Sequence, residues 1–161
     1  MDSLTPFVIA RADPRDARVQ TLIDRHLDLM RATSPPESVF AQDAEGLVRD
    51  GAHLFAAAEP EAPSAPLLGI GAFKMIGTGH AELKSMHVAA EARGRGAGRA
   101  LLERILAEAK AMGATRASIE TGSAAAFAPA LALYRAYAFK PCPPFGSYVE
   151  NPFSVFLSRD L

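Results

Sequence analysis

The segment Arg93-Gly94-Arg95-Gly96-Ala97-Gly98-Arg99 sets three alternate glycines among three arginines, directly before a run of apolar residues at helical spacing. Each glycine loses more backbone entropy on folding than another residue would, so the segment gives up stability for bare backbone. Successive backbone N–H groups in such a turn form a concave anion site. The start of the next helix adds unpaired N–H groups and a positive dipole, and guanidinium groups add charge-assisted donors. The chemistry this favours is recognition of a phosphate or pyrophosphate; the alternative is a basic turn with no ligand. Two known phosphate loops do not fit. A P-loop needs Lys and then Ser or Thr after its last glycine, but Gly98 is followed by Arg99-Ala100. The dinucleotide fingerprint meets Arg99 if begun at Gly94 and Leu101 if begun at Gly96. It also needs a parallel βαβ start.

Other chemistry-bearing residues are sparse. His26, His53, His80 and His87 show no metal-ligand spacing such as H-x-x-x-H, so no metal is expected. Cys142 is the only cysteine and lies between prolines. It lacks the His/Asp pattern of a nucleophile, leaves no internal disulfide and fits a reducing compartment.

The elements that must position the loop can be traced from periodicity. Residues 7–12 read as a strand. Asp13-Pro14 then opens a helix with apolar residues at Val19, Leu22, Ile23, Leu27 and Met30. "SPPES" breaks it, and a short helical segment is expected over 39–49. Residues 53–59, 67–76 and 80–89 read as strands, the last two joined at "GTG" in a hairpin. The loop feeds a helix with Leu101, Leu102, Ile105, Leu106, Ala109 and Met112 on one face, stopped by Gly113. A strand over 115–121, a helix over 129–137 with Pro129 in its first turn and a last strand from Ser154 close an α+β order.

The totals bound the rest. A chain of 161 residues, 49% hydrophobic and 22% charged, suits one globular domain over 1–161. A net charge of −1 gives no overall pull toward nucleic acid or an acidic membrane. No apolar run approaches the ~20 residues that span a bilayer. The early charges of "MDSLTPFVIARADPRD" do not resemble a signal peptide. The expectation is a cytoplasmic protein with no nucleic-acid or membrane partner.

With R-x-x-G-x-G at Arg93–Gly98, directly after a strand ending "SMHV", the chain resembles the GNAT superfamily of acyl-CoA-dependent N-acetyltransferases. "ELKSMHV" is similar to the family's fourth strand, "RGRGAGRALLERILAEAKAMG" to its pyrophosphate loop and third helix, and "RASIETGS" to its fifth strand. "ALALYRAYAFKPC" resembles its A-x-x-L-Y-x-x-x-G-F segment. The segments "ELKSM", "ETGS" and "FG-x-Y" resemble a subgroup of small bacterial members. There are two departures. Ala138 stands where the family usually has glycine, and "SAAAFAPA" lacks an asparagine common there.

The resemblance implies a mixed, mostly antiparallel twisted sheet, splayed between its fourth and fifth strands and flanked by helices. It implies acetyl-CoA as cosubstrate and an amine acceptor, in a ternary complex; dimers are frequent in the family, so a homodimer is an expectation. The pyrophosphate would lie on Gly94, Arg95, Gly96, Ala97 and Gly98, with Arg93 and Arg99 beside it. The pantetheine arm would pair with Met86, His87 and Val88, and a backbone N–H near Met86 or His87 would polarise the thioester carbonyl. Tyr134 matches the tyrosine that donates to the departing thiolate. Glu82 is the first candidate for the base, with Glu120 next and a water relay third. Strand alternation puts Glu82, Lys84 and Met86 on one face, and the competing role for Glu82 is a solvated surface pair with Lys84. The acceptor wall falls to His26, Met30, Glu37, Ser38, Phe40, Lys84 and Tyr148.

Overall fold

A computed structural model describes residues 7–62 and 64–161. In chain order it contains β1 (Val8–Arg11), α1 (Ala17–Thr33), α2 (Ala44–Arg49), β2 (His53–Ala58), β3 (Gly69–Gly77), β4 (His80–Val88), α3 (Ala97–Ala111), β5 (Arg116–Gly122), α4 (Ala128–Ala136), β6 (Lys140–Pro141) and β7 (Ser154–Asp160). The Asp16 carboxylate caps α1 by accepting the Arg18 N–H at 2.8 Å. Val19, Leu22, Ile23, Leu27 and Met30 are all buried, as their spacing predicts. The helical segment expected over 39–49 is shorter. A 3-10 turn spans Pro36–Ser38, and α2 waits for Asp43, whose side chain accepts from Gly46 N–H. The two-residue β6 was not anticipated; it adds to the sheet edge, where Pro141 costs no ladder bond to a further strand.

The seven strands lie in the order β1-β2-β3-β4-β5-β7-β6. Every neighbouring pair is antiparallel except β4 and β5, which run parallel. Helix α1 lies on β3 and β4, and α3 covers β1 to β4. Glycines in β3 allow α3 to sit close. A Cβ at Gly71 would stand 2.7 Å from Ile105 Cδ1, and one at Gly69 would stand 3.0 Å from Leu101 Cδ1.

Parallel pairing of β4 with β5 runs from His80 opposite Arg116 to Leu83 opposite Ile119 and then stops. Beyond that point Lys84–Val88 and Glu120–Gly122 part, which is the splay the sequence led us to expect. Two bulges, one in β3 and one in β4, tune the pairing of these strands. Ile76 is an extra residue in β3 between the pairs Met75–Ala81 and Gly77–His80. Ser85 and Met86 together oppose the single Gly71, and Ser85 takes φ 56°. The second bulge resets strand alternation. Met86 therefore does not share the face of Glu82 and Lys84: its sulfur would meet a Cβ on Gly71 beside Ile105 of α3, while His87 turns to His26 of α1.

Candidate active site

The glycine loop follows a 3-10 turn at Ala90–Ala92 and ends as the N-terminus of α3. Gly94 (φ 79°) and Gly96 (φ 92°) are left-handed, a region that an L side chain enters at a cost of about 1–2 kcal/mol. A Cβ on Gly94 would meet nothing within 4 Å, so the space beside that residue is open. Gly98 has a different reason. A Cβ there would press on Val88 Cγ2 at 3.1 Å, so glycine lets α3 start against β4. The three arginines are not equivalent. Arg95 is paired to Glu59 at 2.7 Å and lies over the Phe7 ring. Arg99 is held by Glu103 and the Tyr137 hydroxyl. Arg93 is exposed and makes no ion pair among the described residues, so it is the arginine left to meet an anion. An open left-handed turn, a helix N-terminus and one unspent guanidinium fit the pyrophosphate of a CoA thioester.

Tyr134 projects from α4 into the gap beyond the last β4–β5 pair and is 2% exposed. The helix end fixes it. Phe139 N–H donates to the Tyr134 carbonyl (3.0 Å) and Ala138 N–H to the Arg135 carbonyl (3.1 Å). This is a Schellman closure, and the Tyr134 and Phe139 rings meet at 5.8 Å as its hydrophobic contact. Ala138 sits at its left-handed position with φ 68°, so alanine occupies the place that glycine would fill without strain. Burial pushes the Tyr134 phenol well above its ordinary value, and the hydroxyl holds its proton throughout the neutral range.

Tyr134 lines a small cavity of about 40 Å³ together with Met86, Ser85, Thr121 and Glu120. Burial raises the Glu120 carboxyl, as does the Glu82 charge, against the pull of the Ser154 hydroxyl and of Lys84. Its Oε2 is buried and completes no hydrogen bond among the described residues, and neither does the Ser85 hydroxyl beside it. Glu82 is in another situation. It is 4% exposed; its Oε2 accepts from Lys84 Nζ at 3.4 Å and from the Tyr148 hydroxyl. The pair with Lys84 is therefore buried and is not the solvated surface pair considered from the sequence. Burial and the Glu82 charge together push the Tyr148 phenol up, so Tyr148 remains a donor.

His26 and Met30 also line the small cavity. His26 Nδ1 and His87 Nδ1 stand 3.2 Å apart, with the rings edge to face. Burial, reinforced by His87, drives His26 down to about 4, and burial with the nearby Arg93 and Arg25 charges lowers His87. Both rings are neutral at pH 7, and one shares its proton with the other. The His87 side chain thus has a structural bond that the sequence reading, which valued only its backbone, did not foresee.

A larger cavity of about 230 Å³ adjoins through Lys84. Phe40 and Tyr148 form one wall, their rings 5.2 Å apart and edge to face. Glu37 and Ser38 do not join it. Glu37 is exposed and Ser38 is buried in the 3-10 turn, and neither lines either cavity. Lys74, Gln42 and Ile76 were missed. Counting back from the hairpin turn places Lys74 opposite Leu83; the bulge at Ile76 shifts the register and puts it opposite Glu82. Among the described residues no group of His, Cys, Asp or Glu is placed to hold a metal. No helix there is long and apolar enough to cross a membrane.

Residues 19–139 match the acetyltransferase (GNAT) family. The chain is 39% identical over 144 residues to YsnE of Bacillus subtilis (strain 168), described as an uncharacterized N-acetyltransferase, covering 89% of this chain and 93% of that one. It is 37% identical over 155 residues to YedL of Escherichia coli (strain K12), described in the same words, covering 96% and 95%. The fold is that of the crystal structure of Rv2747 from Mycobacterium tuberculosis in complex with CoA: TM-score 0.68, 14% identity, 96% of this chain and 99% of that one. The chain belongs to the GNAT acetyltransferase family, with the α+β fold of that family and the small bacterial relatives the motifs pointed to.

Proposed function

We infer that this chain, as one GNAT domain over residues 1–161, transfers an acetyl group from acetyl-CoA directly to the primary amine of a small molecule or peptide. One observation carries the reading: β4 and β5 part immediately after Leu83 and Ile119, and Tyr134, Glu120 and Met86 line the cavity at that gap, on the strand that leads into the glycine loop. When bound, acetyl-CoA supplies an activated acyl group. The loop from Gly94 to Gly98 and Arg93 would hold its pyrophosphate, and the bulged backbone from Met86 to Val88 would orient its arm.

The transfer forms an N–C bond and breaks a C–S bond. Starting from the protonated amine, the nitrogen loses two protons. One goes to the base and on to solvent and exposes the lone pair; the other, lost as the N–C bond forms, balances the one the sulfur gains. An alkylamine is protonated at neutral pH, its reference value being about 10.4, and has no lone pair until a base acts. The geometry favours Glu120 over Glu82 for that task. Glu120 carries an oxygen with no hydrogen-bond partner among the described residues and a value raised by burial. Glu82 is already bound by Lys84 and Tyr148. Tyr134 holds its proton and donates toward the leaving sulfur. Its raised value makes it a hydrogen-bond donor first, since a free thiol near 8.5 is the stronger acid.

The test is release of free CoA thiol with a panel of primary amines, with product mass read in parallel. The reading requires thiol release together with an amine product heavier by one acetyl. CoA binding without thiol release from any amine would make the chain a non-catalytic acyl-CoA-binding protein.

A further inference from the structure

The larger cavity has a composition that transfer to an amine does not by itself require. Lys74 of β3 stands opposite Glu82 of β4, and Lys84 follows two residues on. Cross-strand and alternate residues share a face, so the order along this face is ammonium, carboxylate, ammonium. All three line the cavity. The Lys84 side chain is only 8% exposed and spends one bond on Glu82, at 3.4 Å. Lys74 spends one on Asp50, at 3.2 Å, and Asp50 does not line the cavity. Each ammonium has three donors. Among the described residues, two on each remain for whatever fills the space.

Net charge does not decide the occupant, because Asp50 and Glu82 balance the two lysines. Unspent donors do. Among the described residues Glu82 is the one carboxylate on the cavity wall; its Oε2 is already doubly used, and its Oε1 and the orphaned Gln42 Oε1 remain as acceptors. A ligand offering only an ammonium could use those acceptors but would face two more ammonium groups and leave their donors unmet. A ligand carboxylate would take the free donors as charge-assisted bonds. Phe40, Tyr148 and Ile76 add apolar surface suited to a short apolar side chain. A volume of about 230 Å³ lies below the roughly 300–1,000 Å³ of drug-sized sites and fits a molecule of amino-acid size.

We propose that the acceptor is a small amino carboxylate: Lys74 and Lys84 hold its carboxylate, and its amine points to the β4–β5 gap. Lys84 lines both cavities, so a carboxylate gripped there leaves the amine within reach of the gap. This rests on the transferase reading. In the transfer, the nitrogen of the bound molecule bonds to the acetyl carbon as the C–S bond breaks. The ammonium first gives one proton to the protein carboxylate, which releases it to solvent. The second proton leaves the nitrogen as the N–C bond forms and balances the one the sulfur gains, and the ligand's own carboxylate is unchanged.

The experiment compares free L-amino acids, their primary amides and the corresponding decarboxylated amines. It measures equilibrium binding in the presence of CoA by calorimetry and thiol release with acetyl-CoA. Amino acids should bind and react with kcat/KM at least about tenfold above their amides, the scale of one ionic hydrogen bond. Lys74→Met and Lys74→Gln should each raise KM for the amino acids selectively, with KM for acetyl-CoA unchanged. Amides or plain amines that bind and react as well as the acids would overturn the proposal and leave the transferase reading standing. Amino acids that bind through Lys74 but release no thiol would sink the transferase reading and leave the carboxylate site standing.

Discussion

In the proposed function the glycine loop and the acceptor cavity would recognise their ligands by opposite means. The loop uses backbone: Gly94 and Gly96 are left-handed, the surface is open, and the donors are consecutive amides of one short stretch. The cavity uses side chains drawn from four places: the segment after α1 (Phe40, Gln42), β3 (Lys74), β4 (Glu82, Lys84) and the turn before β7 (Tyr148). Backbone recognition needs particular residue types at adjacent positions. Side-chain recognition needs only that distant positions meet. The first can be changed by little without loss, while the second can be retuned one wall at a time.

The largest effect expected from breaking this division falls on the chemistry between the two regions. Tyr134→Phe keeps the ring against Phe139 and removes the donor to sulfur. Turnover should fall by about 10²-fold, the usual scale for one acid–base group, with CoA affinity nearly unchanged by calorimetry. An unaltered rate would leave Tyr134 as a core residue that closes α4.

Next come the two carboxylates. Glu120→Gln should lower the rate at neutral pH by about tenfold or more, and higher pH should partly restore it as more amine arrives neutral. The parent should show an acid limb above the ordinary carboxylate range, because burial raises Glu120 and the base must be ionised to act. Glu82→Gln should instead raise KM for the acceptor and retain that limb. A limb that vanishes in Glu82→Gln and persists in Glu120→Gln would exchange their roles.

Stability gives the smaller effects. His26 is held neutral by burial, with a folded value of about 4 against 6.5 when unfolded. Between those values the unfolded chain binds more protons, so stability falls as pH drops from about 6.5 to about 4. Glu120 acts in the other direction: its raised value favours the fold at low pH, and that contribution is lost as pH rises through it. Urea midpoints of parent and His26→Gln across this range isolate the histidine. The variant should show the weaker loss toward acid, and parallel curves would remove the buried pair from the account. Ala138→Gly should stabilise the protein. Relief of the left-handed strain, about 1–2 kcal/mol, exceeds the added entropy cost of glycine, about 0.5–1 kcal/mol. The melting temperature should rise by about 1–4 °C, and a fall would mean that the α4 closure carries no strain.

How far the sequence could be read follows the same division. The order of strands and helices and the glycine loop were legible because each is written in a local period or a contiguous motif; the parting of two strands and the place of Tyr134 came only with the family resemblance that those motifs carry. Even the strain at Ala138 was visible as a departure from glycine. The acceptor side was legible only in part: His26, Met30, Phe40, Lys84 and Tyr148 line one cavity or the other, while the register that brings Lys74 in was hidden. A single extra residue at Ile76 moves Lys74 from opposite Leu83 to opposite Glu82, and another at Ser85 turns Met86 to the face of α3. Bulges have no reliable local signature, and each reverses which side chains share a face. Glu37, Ser38 and Phe40 were assigned together because the resemblance makes the segment after the first helix an acceptor wall, but a 3-10 turn leaves Glu37 exposed and Ser38 buried, and of the three Phe40 lines the cavity. Whether Glu82 and Lys84 form a surface pair or a buried one depends on Tyr148, 66 residues further on.

The central claim is that the glycine loop binds the CoA moiety and that the splayed strands perform the transfer. The most direct measurement is calorimetric titration of CoA into the parent, Gly96→Asp and Tyr134→Phe proteins. Gly96→Asp puts a carboxylate and a strained side chain where the pyrophosphate should lie. Loss of two ionic hydrogen bonds, each about 1.5–3 kcal/mol, would weaken binding by more than about tenfold. The account predicts that loss in Gly96→Asp and parental affinity in Tyr134→Phe. Equal CoA affinity in Gly96→Asp and the parent would contradict it.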